Sequence, residues 1–412
     1  MKIYKGYSKI FGRKPLTALV LLAFLAGCGG GSPGSADGGT GGDGGNGGNG
    51  GGPPGPPDTT LPTVTAMSPG EDSGGTSPTP GMGTNSKLTA TLSEAMIESV
   101  ITAIDPATSN PANFRLINGA NSIPGTASYD STNHIAVFTP TAPLAPNTRY
   151  TATIITGVKD VAGNPLTKDF AWCFVTGATT DSTAPSVTFT DAAAGVAVNR
   201  KITATFSEDM DGSTITPASF SVTGPAAAPV SGTVTYLRRT AVFNPSSSLA
   251  SNTTYTAAIT SGVKDLAGNA LQANAWSFST GANADVTAPV VVLPTNPASA
   301  ASGVAISSTI TVTLSEPMDP ATITTENFTV TVPGAPPDIT TPVIGTVAFD
   351  ASNNTATFTR INHLVTPVLF HPEPVSNLEP STTYTATLTT GAKDMAGNAL
   401  ASNLEWSFTT GP

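Results

Sequence analysis

A six-residue phrase occurs three times in this chain: Lys159-Asp160-Val161-Ala162-Gly163-Asn164, Lys264-Asp265-Leu266-Ala267-Gly268-Asn269 and Lys393-Asp394-Met395-Ala396-Gly397-Asn398. Eleven or twelve residues after each aspartate stands a tryptophan, Trp172, Trp276 or Trp406, and the protein has no other. Self-similarity at this spacing means one domain copied three times, and it decides the fold before any local propensity is weighed. Leucine and tyrosine keep step with the phrase: Leu144 and Tyr150, Leu249 and Tyr255, Leu378 and Tyr384 are six apart, and each tyrosine precedes its aspartate by ten.

The second copy reads most cleanly. Val187-Thr188-Phe189 is a short first strand, and Lys201 to Phe206 alternates apolar and polar residues with period two. Phe220 to Val222, Val234 to Tyr236 and Thr240 to Phe243 follow, the last stopped by Asn244-Pro245 because proline cannot continue a central strand. Tyr255 to Ile259 and Trp276 to Thr280 complete about seven strands in about 100 residues, which predicts a β-sandwich of immunoglobulin type. The tyrosine is either the anchor of a tyrosine corner, its phenol tied back to the backbone, or an ordinary core residue.

These pieces resemble the bacterial Ig-like domains of surface-layer and other cell-surface proteins. The matching segments are Thr183-Ala184-Pro185, Phe206-Ser207-Glu208-Asp209-Met210-Asp211, Tyr255-Thr256, the repeated phrase and Trp276-Ser277-Phe278, echoed by Thr287-Ala288-Pro289, Leu314-Ser315-Glu316-Pro317-Met318-Asp319, Tyr384-Thr385 and Trp406-Ser407-Phe408. The first copy departs, with Leu61-Pro62 at its start and Ser93-Glu94-Ala95-Met96-Ile97 lacking the final aspartate. The expected fold is all-β: three tandem immunoglobulin-like β-sandwiches at 58–180, 181–284 and 285–412, after a signal peptide (1–27) and a disordered Gly-rich linker (28–57). The short junctions favour a semi-rigid rod, on the order of 100 Å long if fully extended.

Lys2, Lys5, Lys9, Arg13 and Lys14 precede an apolar core from Leu16 to Ala26, too short to span a bilayer as a helix. Leu25-Ala26-Gly27-Cys28 resembles the lipobox of bacterial lipoproteins, which implies lipidation of Cys28, and Gly29 resembles the outer-membrane-sorted class. More than half of the residues from Gly29 to Pro57 are glycine, a tether with an r.m.s. span of about 30 Å. Without the five basic residues of the leader, 12 Lys+Arg face 27 Asp+Glu, a net charge near −15. That balance argues against nucleic acid and against polybasic membrane binding, leaving the N-terminal lipid as the membrane contact.

Oxygen-rich loops raise the expectation of calcium, a hard cation wanting six to eight oxygens. Glu208, Asp211 and Asp265 in the second copy and Glu316, Asp319 and Asp394 in the third are the candidates, with Asp181 and Asp285 at the junctions; Asp211 and Asp319 favour these copies over the first. Side-chain turns made by Asp and Asn are the alternative. His134, His363 and His371 recur at no equivalent position, so no catalytic set is marked and the chain is expected not to be an enzyme. Strand alternation places Cys173 opposite the buried aromatics, on an exposed face. The third copy carries an apolar, proline-bounded insertion near 360–374, whose Ile361, Leu364, Val365, Val368, Leu369 and Phe370 suit a contact surface for a protein or glycan ligand. The functional expectation is therefore a lipid-anchored envelope protein whose distal domain binds a partner, or else a structural spacer with no dedicated ligand.

Overall fold

The alternation in Lys201 to Phe206 becomes the strand Ile202–Phe206, which sends Ile202, Ala204 and Phe206 into the core of domain 2. It pairs antiparallel with Val187–Thr190 on one side and with Thr240–Pro245 on the other, and Gly232–Leu237 completes a four-stranded sheet. The facing sheet runs in the order Ala194–Val196, Asn274–Thr280, Thr254–Ile259, Phe220–Thr223. In domain 1 the two sheets order as Val64–Ser68, Leu88–Leu92, Ile135–Pro140, Gly125–Asp130 and as Asn121–Ser122, Phe114–Asn118, Arg149–Ile154, Phe170–Val175. In domain 3 the orders are Val291–Asn296, Ile310–Leu314, Thr355–Arg360, Gly345–Asp350 and Thr340–Pro342, Phe328–Pro333, Thr383–Leu388, Leu404–Thr409. The computed structural model describes residues 58–70, 82–190, 193–333, 340–360 and 378–412. Cys28, the glycine-rich tether and the apolar residues Ile361 to Phe370 lie outside them.

All seven strands expected of domain 2 are present. An eighth, Ala194–Val196, was not legible: its Ala and Gly carry little strand preference. It is held by parallel pairing with Asn274–Thr280 and by the Gly281 N–H, which donates to the Val196 carbonyl at 2.8 Å.

Each core is built on the same aromatic set. Trp276 lies against Phe220, centroids 5.8 Å apart and tilted by 45°; Trp172 and Phe114, and Trp406 and Phe328, repeat the contact at 5.9 Å. Tyr255 stacks on Phe278 at 5.5 Å, as Tyr150 does on Phe174 and Tyr384 on Phe408. The phenols decide between the two readings of the tyrosine. The backbone N–H groups of Ala145, Ala250 and Glu379 donate to the hydroxyls of Tyr150, Tyr255 and Tyr384 at 2.9, 2.9 and 2.7 Å. Each is a tyrosine corner, satisfying an amide five residues upstream of the ring.

Cys173 is buried, contrary to the exposure expected from alternation. Its sulfur lies 3.4 Å from the Thr151 hydroxyl on the neighbouring strand, and Val175 on the same strand face is buried as well. Alternation gives the direction of a side chain, while its exposure depends on what covers that face.

The domains also touch. Ile135 and Val137 of domain 1 join the apolar cluster of domain 2, and the Tyr236 N–H donates to the Asn133 side-chain carbonyl at 2.7 Å. Ile344 of domain 3 packs against the core cluster of domain 1. That contact returns domain 3 to domain 1, so the fully extended line of about 100 Å is not formed.

Replacing Tyr255 with Phe leaves the ring in place and the Ala250 amide without its acceptor, which should cost domain 2 about 1–3 kcal/mol. Native-state hydrogen exchange, resolved by domain, should show faster opening of domain 2 alone.

Candidate functional site

The repeated phrase folds into a clasp. In domain 2 one oxygen of Asp265 accepts the backbone N–H groups of Ala267 and Asn269, each at 2.8 Å, and the other accepts the Asn269 side-chain amide at 2.8 Å. Asp394 is held identically by Ala396 and Asn398, and Asp160 by both nitrogens of Asn164. The glycine of each phrase sits at φ of 94 to 97°, a conformation that glycine adopts without a steric penalty. The three aspartates are buried. For Asp160, burial pushes the carboxyl up, but the hydrogen bonds from Asn164, Gly163 and Ala162 outweigh it and hold it below the ordinary range.

The clasp reaches the start of each domain. The side-chain amides of Asn164, Asn269 and Asn398 donate to the backbone carbonyls of Asp58, Asp181 and Asp285 at 3.2, 3.4 and 3.3 Å. A glutamate two residues past a sheet strand completes the group. Three carboxylate triads result, Asp58–Glu94–Asp160, Asp181–Glu208–Asp265 and Asp285–Glu316–Asp394, each with oxygens within 4.8 Å of one another. Burial first, then the neighbouring aspartates, raises all three glutamates; Glu208 is pushed up to about 7, with Arg239 opposing the rise. Beside the second triad a small cleft opens between domains 1 and 2, lined in part by Ser68, Met82, Asp209 and Arg239.

Four of the six residues expected to bind calcium, Glu208, Asp265, Glu316 and Asp394, therefore do converge. Asp211 and Asp319 do not belong to the triads. They cap the 3-10 turns Gly212–Thr214 and Pro320–Thr322, and each pairs with a lysine of the preceding domain. The first copy, set aside for lacking that aspartate, has the same triad as the others. Asp58 was missed, although a signal existed: Asp58, Asp181 and Asp285 each stand four residues before the proline that opens a domain. His363 and His371 lie outside the described residues, and His134 belongs to no acidic group among them.

The family model of the bacterial Ig-like domain matches residues 58–176, 178–280 and 285–410. The chain belongs to this family. No curated protein sequence matches it. Among solved structures, the N-terminal part of the bacterial S-layer protein SbsC is 16% identical over 55% of this chain and 44% of that one, with a TM-score of 0.22. Domains 1–6 of the same S-layer protein are 12% identical over 86% and 54%, TM-score 0.21, and a biofilm-associated protein's BSP domain is 17% identical over 48% and 28%, TM-score 0.17. The chain spans about half the length of the S-layer structures or less.

A triad of carboxylates with neither nitrogen nor sulfur suits a hard divalent cation in charge, but both oxygens of the clasp aspartate already accept N–H groups, which leaves fewer free oxygens than calcium takes. A proton on the glutamate relieves the same repulsion. The two occupants give opposite pH behaviour. Glu208 titrates above its unfolded value, so its contribution to stability is complete below about pH 4.5 and is lost as pH rises through about 7. In cation-free buffer the melting temperature of domain 2 should fall between pH 5 and pH 8, and Glu208→Gln should flatten that fall and raise the value at pH 8. If calcium is the occupant, millimolar calcium should restore the wild-type protein at pH 8 and leave Glu208→Gln unmoved; differential scanning calorimetry reads both.

Proposed function

We propose that this protein is a surface component of the bacterial envelope, held by lipid at Cys28, whose Ig-like domains present domain 3 for adhesion or partner binding. Ig-like domains of this family are generally non-enzymatic, and the repeat itself argues for scaffold: clasp, corner and triad recur in every copy, so none of them distinguishes a dedicated active site. Among the described residues no helix is long and apolar enough to cross a membrane.

The observation that carries the reading is where domain 3 departs from its sister copies. Thr59 and Ser182 become Val286, Thr63 and Ser186 become Val290, and Thr65 and Thr188 become Val292. All three valines are exposed, as is the adjoining Leu293. Exchanging hydroxyl side chains for exposed apolar ones gives folding nothing, whereas a run of exposed apolar residues leading into the strand Val291–Asn296 suits a contact surface. Ile361, Leu364, Val365, Val368, Leu369 and Phe370 supply a second apolar stretch in the same domain.

The partner's chemistry follows: a protein or glycan with an apolar face. Such a surface disfavours nucleic acid, as does the net charge near −15. Labelled protein should bind host cells, glycan arrays or whole bacteria. Restoring the polar residues with Val286→Ser, Val290→Ser and Val292→Thr, or deleting Ile361 to Pro374, should weaken that binding about tenfold or more without lowering the melting temperature. Binding that survives both changes removes these two stretches as the contact surface, and no binding by the unaltered protein returns the chain to the second reading, a spacer whose repeated scaffold is its whole purpose.

A further inference from the structure

The two domain junctions are built from the same contacts. Between domains 1 and 2 the Asn85 side chain donates to the Asp181 carbonyl at 3.0 Å and accepts the Asp181 N–H at 2.7 Å. Two residues on, the Lys87 N–H donates to the Leu266 carbonyl at 2.9 Å, and its ammonium donates to Asp211 at 2.5 Å. Between domains 2 and 3, Asn199 grips Asp285 through the same pair of bonds, at 3.0 and 2.9 Å. The Lys201 N–H reaches the Met395 carbonyl at 2.9 Å, and its ammonium pairs with Asp319. In both pairs the aspartate is nearly buried, so the charge is poorly screened and the lysine matters more than it would in an exposed pair.

The copies that lack one half of this contact are as informative as those that have it. The leucines Leu144, Leu249 and Leu378 donate their N–H to Thr84, Val198 and Ile306, which fixes the equivalence of the three domains here. Domain 3 then carries Ser307 and Thr309 where domains 1 and 2 carry Asn85 with Lys87 and Asn199 with Lys201. Domain 1 carries Ile97 where the others carry Asp211 and Asp319. The apolar residue of the phrase obeys the same rule: Leu266 and Met395 are 7% and 3% exposed under the preceding domain, while Val161 is 68% exposed.

We infer that these residues form a one-directional junction code. An Asn-x-Lys donor on one domain fits an acceptor on the next, made of the aspartate-capped turn and the carbonyl of the phrase's apolar residue. Donors occur on domains 1 and 2 and acceptors on domains 2 and 3, so the code joins 1 to 2 and 2 to 3 and no other pair. Neither the outer face of domain 1 nor that of domain 3 engages a further Ig-like domain this way, and copies of the chain do not polymerise through it. Helix capping alone does not explain the aspartates. The helix Glu98–Ile101 of domain 1 has the same need, yet starts on Ile97 with no side-chain cap bond. The code goes beyond the proposed surface role and holds whatever domain 3 binds.

Electron–electron distance measurements on the full chain test it, with Cys28→Ser and Cys173→Ser as background and Thr256→Cys and Glu405→Cys, both exposed strand positions of domains 2 and 3, as label sites. The unaltered junction should give one narrow distance peak. Lys201→Glu and Asp319→Lys should each lose it, and the two together should recover it. Asp319→Asn, which keeps a good cap, should also lose the narrow peak. A narrow peak in Asp319→Asn and Lys201→Glu alike, or a double reversal as broad as either single change, would overturn the code.

Discussion

A carboxylate removed from water and satisfied by its own loop is the interaction on which each domain depends. Burying an ionised group without partners is among the costliest things a fold can do. Asp265 escapes that cost because Asn269, four residues on, brings back two N–H donors at 2.8 Å and Ala267 adds a third. The loop can return so tightly only through a residue of positive φ, which is Gly268. Lys-Asp-x-Ala-Gly-Asn is thus one physical solution read three times: a buried charge, the turn that permits it and the amide that completes it. Because the same asparagine holds the first residue of the domain by its carbonyl, the clasp closes the sandwich at its beginning and near its end together.

From that clasp the triads follow as a consequence. Anchoring Asp181 by its backbone and Asp265 by its side chain brings two carboxylates to one place, and Glu208 enters beside them from the end of a sheet strand. Burial and then repulsion fall on the glutamate, the member without a fixed set of N–H donors; in the first copy Glu94 is raised while Asp160, held by its clasp, is lowered. One copy of the motif therefore holds two carboxyls displaced in opposite directions by local geometry.

The fold was legible because its determinants are local or periodic. Strand alternation placed Ile202, Ala204 and Phe206 in the core, and the fixed step from Leu249 to Tyr255 to Asp265 marked the repeat while leaving the tyrosine open between corner and core residue, which the Ala250 N–H then decided. The site was half legible. Glu208, Asp265, Glu316 and Asp394 were visible as acidic loop residues, but Asp211 and Asp319 look the same in one dimension and serve a different contact. Whether a loop aspartate faces a carboxylate or a lysine depends on the neighbouring domain, and local sequence carries no record of that. Cys173 and Ala194–Val196 escaped for the same reason: what covers a strand face, and which strand a short Ala-Gly segment joins, are settled by tertiary contacts.

Two kinds of departure from the repeat now separate. Residues that every copy keeps, such as Asp58 with Asp181 and Asp285, serve each domain by itself, and domain 1 retains its triad although no Asn-x-Lys donor grips Asp58 among the described residues. Residues that only some copies keep serve a relation between domains, and Asp211, Asp319, Lys87 and Lys201 sort by neighbour. Val286, Val290 and Val292 fit neither class: they are particular to one copy and exposed. A change that helps neither a domain's own core nor its docking to the next needs a cause outside the array. That reasoning, applied position by position, separates contact surface from scaffold in a repeat protein whose copies otherwise look alike.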